Sequence, residues 1–156
     1  MTSQSLGGTQ RSARAGYVVA VIVNVIMWVL VNVRPGWREL PFLTADFLDI
    51  LWVVNLSMIT GAVANVAYLF YDADWFKSVC QIGVTAVGLA ASIRMWQVFP
   101  FDFSSYLFPW EGITRVLLIL AIVGSVVAIV SEVVKLAKLA IHQTSADARS
   151  QSPHRQ

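Results

Sequence analysis

Four apolar stretches, Tyr17–Val33, Phe47–Tyr71, Lys77–Phe99 and Ile113–Ala140, set the terms on which this chain can fold. A helix rises ~1.5 Å per residue and a bilayer's hydrocarbon core is ~30 Å thick, so ~20 residues cross it. The first stretch is slightly short and the others are long enough to tilt. Valine and isoleucine are abundant, which would favour strands in water. In lipid the backbone must satisfy its own hydrogen bonds, so helix wins over that propensity. Composition agrees: 57% of residues are hydrophobic and mean hydropathy is +0.67. Only 13% are charged, against about 25% in an ordinary soluble domain. The sequence therefore predicts an all-α, transmembrane, antiparallel four-helix bundle over residues 15–142. Segments 1–14 and 143–156, rich in Ser, Gln, Thr and charge, are expected to be disordered tails.

The boundaries carry matching punctuation. Arg34-Pro35-Gly36 stops the first span, and Thr44 is placed to cap the second, with Asp46 in its first turn. Asp72-Ala73-Asp74 separates spans two and three, Pro100 follows span three and Pro109 precedes span four. Aromatics gather at both ends as interfacial belts, among them Trp37, Phe42, Trp96, Phe101 and Trp110, then Tyr68, Tyr71, Trp75 and Phe76. With both termini in the cytoplasm of a plasma-membrane protein, seven Lys and Arg lie inside (Arg11, Arg14, Lys77, Lys135, Lys138, Arg149, Arg155) and four outside (Arg34, Arg38, Arg94, Arg115). The positive-inside rule favours that orientation. The first apolar core is longer than a signal peptide's, and no small-x-small site follows it. The outer segment Phe99–Gly112 is too aromatic to float in water, so it is expected on the membrane surface or folded over the bundle mouth, or as a ligand lid.

At 100° per residue each span separates into a small or polar stripe and a greasy face. Tyr17, Ala20, Asn24, Trp28 and Val31 share one side of the first span. Asp46, Asp49, Ser57, Thr60, Gly61, Ala64 and Tyr68 share one side of the second. Gln81, Thr85, Gly88 and Ser92 follow a near-heptad spacing in the third, as do Thr114, Ala121, Ser125, Ala128, Glu132 and Lys135 in the fourth. Between membrane helices small residues allow close approach, and hydroxyls and amides bond across. The packing contacts expected are Asn24, Ser57, Thr60, Gly61, Thr85, Gly88 and Ser125. Span three, with a second small face at Gly83, Ala90 and Ala91, is expected to be the most enclosed.

Arg94 near the outer end of span three and Asp49 near that of span two fall at similar depth. An arginine at mid-bilayer costs roughly 2.5–3.5 kcal/mol, so an ion pair with Asp49 is expected. Asp46 and Arg115 lie near the same mouth. The pair reads as a structural clamp or as an outer site for a charged ligand or partner, with snorkelling of Arg94 the remaining option. Asn55 falls on the lipid-like face of span two, which suggests a second interface, since an unpaired amide in hydrocarbon is costly. Glu132, Lys135 and Lys138 read as an exposed pair at a helix C-terminus, with attraction of the lysines to anionic lipid as the alternative.

No catalytic, cofactor-binding or metal-ligating pattern stands out. His142 and His154 lie at or beyond the end of span four, and Cys80 is alone, read as a packing residue. No carboxylate falls near the midplane, where proton-coupled carriers usually need one. No basic run suggests nucleic acid. The stretches RAGYVVAVIVN (14–24), RPGW (34–37), LPFLTAD (40–46), TAVGLAA (85–91) and RMWQVFPFDF (94–103) resemble a family of small four-span membrane proteins of actinobacterial type. That resemblance implies a fold and a membrane location and nothing about chemistry. The function expected is a non-enzymatic structural or accessory subunit whose partners are the bilayer, a second copy or another membrane protein. A small oligomeric transporter or channel, entered near Asp49 and Arg94, is the alternative. A membrane enzyme using Asp49 or Asp102 on the outer side is a distant third.

Overall fold

The computed structural model describes residues 3–71 and 73–150, and among them it is all-helical apart from one isolated bridge. Helix α1 runs Ser3–Asn32, a short 3-10 turn covers Trp37–Glu39, and α2, α3 and α4 run Phe47–Phe70, Asp74–Val98 and Trp110–Ser150. Four stretches are long and apolar enough to cross a membrane: Arg14–Asn32, Phe47–Phe70, Asp74–Val98 and Trp110–His142. The first gains length at its N-terminal end, which removes its apparent shortness. Helix also extends to Ser3 and Ser150, through most of the expected tails. Propagation explains this, because an anchored span adds one backbone bond for each residue it fixes. Residues 1, 2 and 151–156 of those tails lie outside the described residues.

Each stop has a local cause. Pro35 lacks an N–H, and Gly36, at φ +85°, turns the chain while its N–H donates to Leu30 O at 2.9 Å. Helix α3 ends at Phe99, a non-glycine residue at φ +44°, immediately before Pro100. Thr44 does not cap α2. Its hydroxyl donates to Asp46 Oδ2 at 3.2 Å, while its carbonyl accepts from Phe47 N at 3.1 Å.

The helices adjoin in chain order: α1 packs on α2, α2 on α3, and α3 on α4. Among the described residues no Cα of α1 comes within 8 Å of one in α4. The assembly is therefore open along one side. Helix α2, not α3, is the most enclosed, with seven buried residues against two. Its inward line is Phe47, Ile50, Val54, Ser57, Gly61, Ala64 and Tyr68, spaced three and four apart throughout, all buried but half-buried Ser57. Helix α4 repeats the pattern with Arg115, Leu118, Ile122, Ser125, Ile129, Glu132, Leu136 and Leu139, each buried or half-buried. The greasy faces point out: Val19, Val23, Ile26 and Leu30 of α1, and Leu48, Ile59, Val63 and Phe70 of α2, are exposed. Exposed apolar surface on that scale suits lipid as solvent and not water.

Candidate functional site

At the α2–α3 turn all four helices contribute to one cavity of about 320 Å³ that mixes charged groups with apolar lining. It is lined by Tyr17 from α1, Tyr68 from α2, Lys77 and Gln81 from α3, and Ala128, Ser131, Glu132 and Lys135 from α4. The heptad lines bring them there: Tyr68 ends the inward line of α2, and Glu132 sits on that of α4. The Tyr17 and Tyr68 rings lie 5.4 Å apart, Lys77 Nζ stands 5.9 Å from the Tyr17 ring centre, and Tyr68 Oη donates to the Lys77 carbonyl at 3.3 Å. Lys135 Nζ lies 3.6 Å from Glu132 Oε2. That is an ion-pair distance but too long for a hydrogen bond. Glu132 Oε2 is itself buried with no hydrogen-bond partner, as is the hydroxyl of fully buried Ser78. A buried acceptor left unmet costs about 1–3 kcal/mol. The Lys135–Glu132 pair expected from the sequence is present, but its carboxylate faces into the molecule. The legible signal was heptad phase: counting from Ser125 by fours and threes puts Ile129 and Glu132 on the inward line.

At the opposite end aromatic side chains pack over the helix ends, beside an open cavity of about 600 Å³ lined by Phe101, Phe103, Tyr106, Phe108, Trp110 and Arg115 among others. The segment before α2 meets the one after α3: Leu43 bridges Phe101, Thr44 N donates to Pro100 O at 3.0 Å, and Asp102 N donates to Phe42 O at 2.9 Å. Phe42 stacks on Phe103 and Phe103 on Phe101. Arg115 covers the Phe99 ring at 4.1 Å and the Trp96 ring at 5.5 Å, while its guanidinium holds Glu111 at 3.1 Å. This packing holds Phe99 in its left-handed conformation. The first part of Phe99–Gly112 thus folds over the bundle end. Its second part stays exposed, with Leu107, Phe108 and Trp110 outward. Asp102 accepts the backbone N–H of Ser104 at 2.9 Å, which lowers its pKa below the ordinary carboxylate value.

The remaining expected residues separate. Asp49 and Arg94 are both exposed, and no ion pair joins them. The inward line of α2, followed back from Ser57, passes through Val54, Ile50 and Phe47, so Asp46 and Asp49 fall one position off it. Asp49 instead sits in the first turn of α2 and Asp46 at its N-cap, where the helix dipole favours negative charge. Arg115 belongs to the aromatic cap. Asn55 is not an unpaired amide on a free face. Its Nδ2 donates to Asn32 Oδ1 at 2.8 Å and its Oδ1 accepts from Asn32 Nδ2 at 2.7 Å. Two amides thus satisfy each other across α1 and α2.

Asn24 packs across helices but bonds within its own: its Nδ2 donates to Ala20 O at 2.9 Å, and a Cβ at Gly61 would sit 3.3 Å from its Oδ1. Ser57, Thr60 and Ser125 likewise donate to Val54, Leu56 and Ala121 carbonyls in their own helices. Thr85 accepts from Gln81 Nε2 at 3.3 Å. Thr85 and Gly88 are half-buried on α3. Within a helix the i−4 carbonyl is always in reach, so hydroxyls turn there before reaching a neighbour. No family model, curated protein or solved structure matches this chain.

Proposed function

We propose that the protein spans a membrane with four antiparallel helices and acts there as a non-enzymatic structural or accessory subunit that associates with further copies of itself. One observation carries the reading. The outward line of α3 is Val79, Gly83, Ala86, Ala90, Arg94 and Gln97, exposed at every position and spaced three and four apart. Elsewhere the outward faces are valine, isoleucine and leucine, which suit acyl chains. Small residues at helical spacing suit another helix, because they let backbones approach. Arg94 stands on that line without an ion partner, and Asp49 stands exposed at comparable depth on α2. A contact that sets Arg94 of one copy against Asp49 of the next satisfies both charges. Such a contact occurs twice in a two-fold dimer or once per neighbour in a head-to-tail ring.

Charge exchange tests this. Arg94→Asp and Asp49→Arg each give monomers by native mass spectrometry in nanodiscs, and the double exchange restores the oligomer. A wild-type protein that is strictly monomeric under those conditions refutes the reading. A transporter or channel entered near Asp49 and Arg94 has less support, because neither residue lines any of the cavities of about 150–690 Å³ seen among the described residues. Liposome flux altered by Asp49→Asn and Arg94→Gln would favour it.

A further inference from the structure

The cavity of about 600 Å³ beside the aromatic cap is walled by the α3–α4 connection and the start of α4. Three charged groups line it: Asp102, Glu111 and Arg115. Two of them are already matched. The Arg115 guanidinium holds Glu111 at 3.1 Å and covers the Phe99 and Trp96 rings at 4.1 and 5.5 Å. Glu111 also stands in the first turn of α4, where a carboxylate answers the positive end of the helix dipole. Asp102 accepts the Ser104 N–H at 2.9 Å, but a backbone N–H carries no net charge. Among the described residues no cation stands within ion-pair distance of Asp102. The Ser104 bond lowers its pKa, so it is ionised at neutral pH. The charge left without a counter-ion in this cavity is therefore negative. The rings divide in the same way. Phe103 is taken up in stacking with Phe42 and Phe101. Tyr106, Phe108 and Trp110 are 40%, 54% and 44% exposed. The Phe108 and Trp110 rings lie 5.2 Å apart and tilted by 59°, so they form two walls of a corner.

We propose that this cavity binds a quaternary ammonium cation, set against the Asp102 carboxylate and the rings of Tyr106, Phe108 and Trp110. The proposal is independent of self-association. A carboxylate alone would take any cation, and the rings make the choice. An aromatic face attracts a cation through its quadrupole, with Trp and Tyr the stronger partners. A primary ammonium is compact and strongly hydrated, so it loses much on leaving water. A tetraalkylated nitrogen has no N–H to hydrate and gives up less. An anion is disfavoured, because it would have to displace Glu111 from Arg115 and lie in the same cavity as Asp102. The volume falls within the range of ligand sites, roughly 300–1,000 Å³, and leaves room for a substituent on the ammonium head. The same trimethylammonium head occurs on free choline-type cations and on choline lipids, and the chemistry of recognition is shared.

Ligand-observed NMR titration of the full chain in maltoside micelles, which carry no choline head, tests this directly. Tetramethylammonium is expected to bind with millimolar affinity, about tenfold tighter than ammonium. Asp102→Asn weakens binding about tenfold, and Asp102→Glu, which keeps the charge, restores most of it. Tyr106→Leu and Trp110→Leu each weaken it about threefold, as befits one exposed cation–π contact. Glu39→Gln, which removes an exposed carboxylate elsewhere at this end, changes nothing. Circular dichroism shows that each variant keeps its helix. No binding by the unaltered protein, equal affinity for ammonium, or full affinity in Asp102→Asn overturns the proposal, and so does binding of inorganic sulfate in place of the cation. Nanodiscs of equal charge, holding phosphatidylglycerol with either phosphatidylcholine or phosphatidylethanolamine, separate the two sources. Equal affinity for tetramethylammonium in both assigns the site to a free cation, and weaker affinity in the choline discs assigns it to a lipid head. Arg94→Asp keeps the site as a monomer, so failure of self-association is distinguishable from failure of this proposal.

Discussion

The two ends of the helix assembly solve the same problem in opposite ways. At the end where α1 turns into α2 and α3 into α4, the rings of Phe42, Phe99, Phe101 and Phe103 pack on one another, Leu43 and Phe101 join the two connections by backbone pairing, and an aromatic-lined cavity lies alongside. At the α2–α3 turn the connection is too short to fold back, and charged side chains surround a space that stays open. Where the chain has loop length and aromatic side chains, its connections pack on each other and on the helix ends. Where it has only a tight turn, polar side chains must find partners among themselves or in whatever enters.

Stability measurements sharpen that contrast. The largest loss is expected at the aromatic end, where Ile50 is fully buried beneath the cap: Ile50→Ala should cost about 2–4 kcal/mol in steric-trapping or denaturant unfolding in micelles. A loss below 1 kcal/mol would mean the cap is not packed as described. Next comes the amide pair. Asn32→Leu or Asn55→Leu alone leaves one amide unmet and should cost about 1–2 kcal/mol, and the double replacement should recover most of it. Additive losses would show that the two amides do not bond. Arg115→Met removes the cation over Phe99 and the bond to Glu111, with an expected loss of about 1 kcal/mol. At the open end Ser78→Ala should be neutral or stabilising, since its buried hydroxyl has no partner.

Asp102 gives the smallest effect and the only one with a pH sign. Its folded-state pKa is depressed by the Ser104 N–H. Its contribution is therefore present above the ordinary carboxylate pKa and lost as pH falls through the lowered value. Asp102→Asn should flatten the acid limb of the stability profile by lowering stability slightly at neutral pH, with no change at acid pH.

The four apolar stretches were legible because hydrocarbon thickness fixes their length and lipid fixes their secondary structure. The outward valine ridges were legible for the same reason. What polarity alone did not give was which line of each helix faces inward. Asp46 and Asp49 continue the polar character of Ser57 and Thr60 without continuing their line, so polarity pointed one position away from the buried face. Arg94 sits on a helix face that small residues mark as a contact, and nothing local says whether the contacting surface belongs to the same molecule. Asn32 and Asn55 are twenty-three residues apart, and their pairing depends on how α1 is rotated against α2. Glu132 fell on the polar stripe of span four, yet its lysine neighbours made it read as part of an ordinary exposed helix end. Composition names the solvent well. Partner choice depends on rotation angles that one sequence does not encode locally.

The central claim is that lipid surrounds four helices whose capped and charged ends lie on opposite sides of the membrane. Single cysteines in a Cys80→Ser background, labelled in intact cells by an impermeant maleimide, test it most directly. Leu107→Cys and Asp74→Cys should label from opposite faces, while Val23→Cys, Val63→Cys and Val127→Cys should stay unlabelled until the membrane is dissolved. Labelling of Leu107→Cys and Asp74→Cys from the same face, or rapid labelling of the three valine positions in intact membranes, would contradict it.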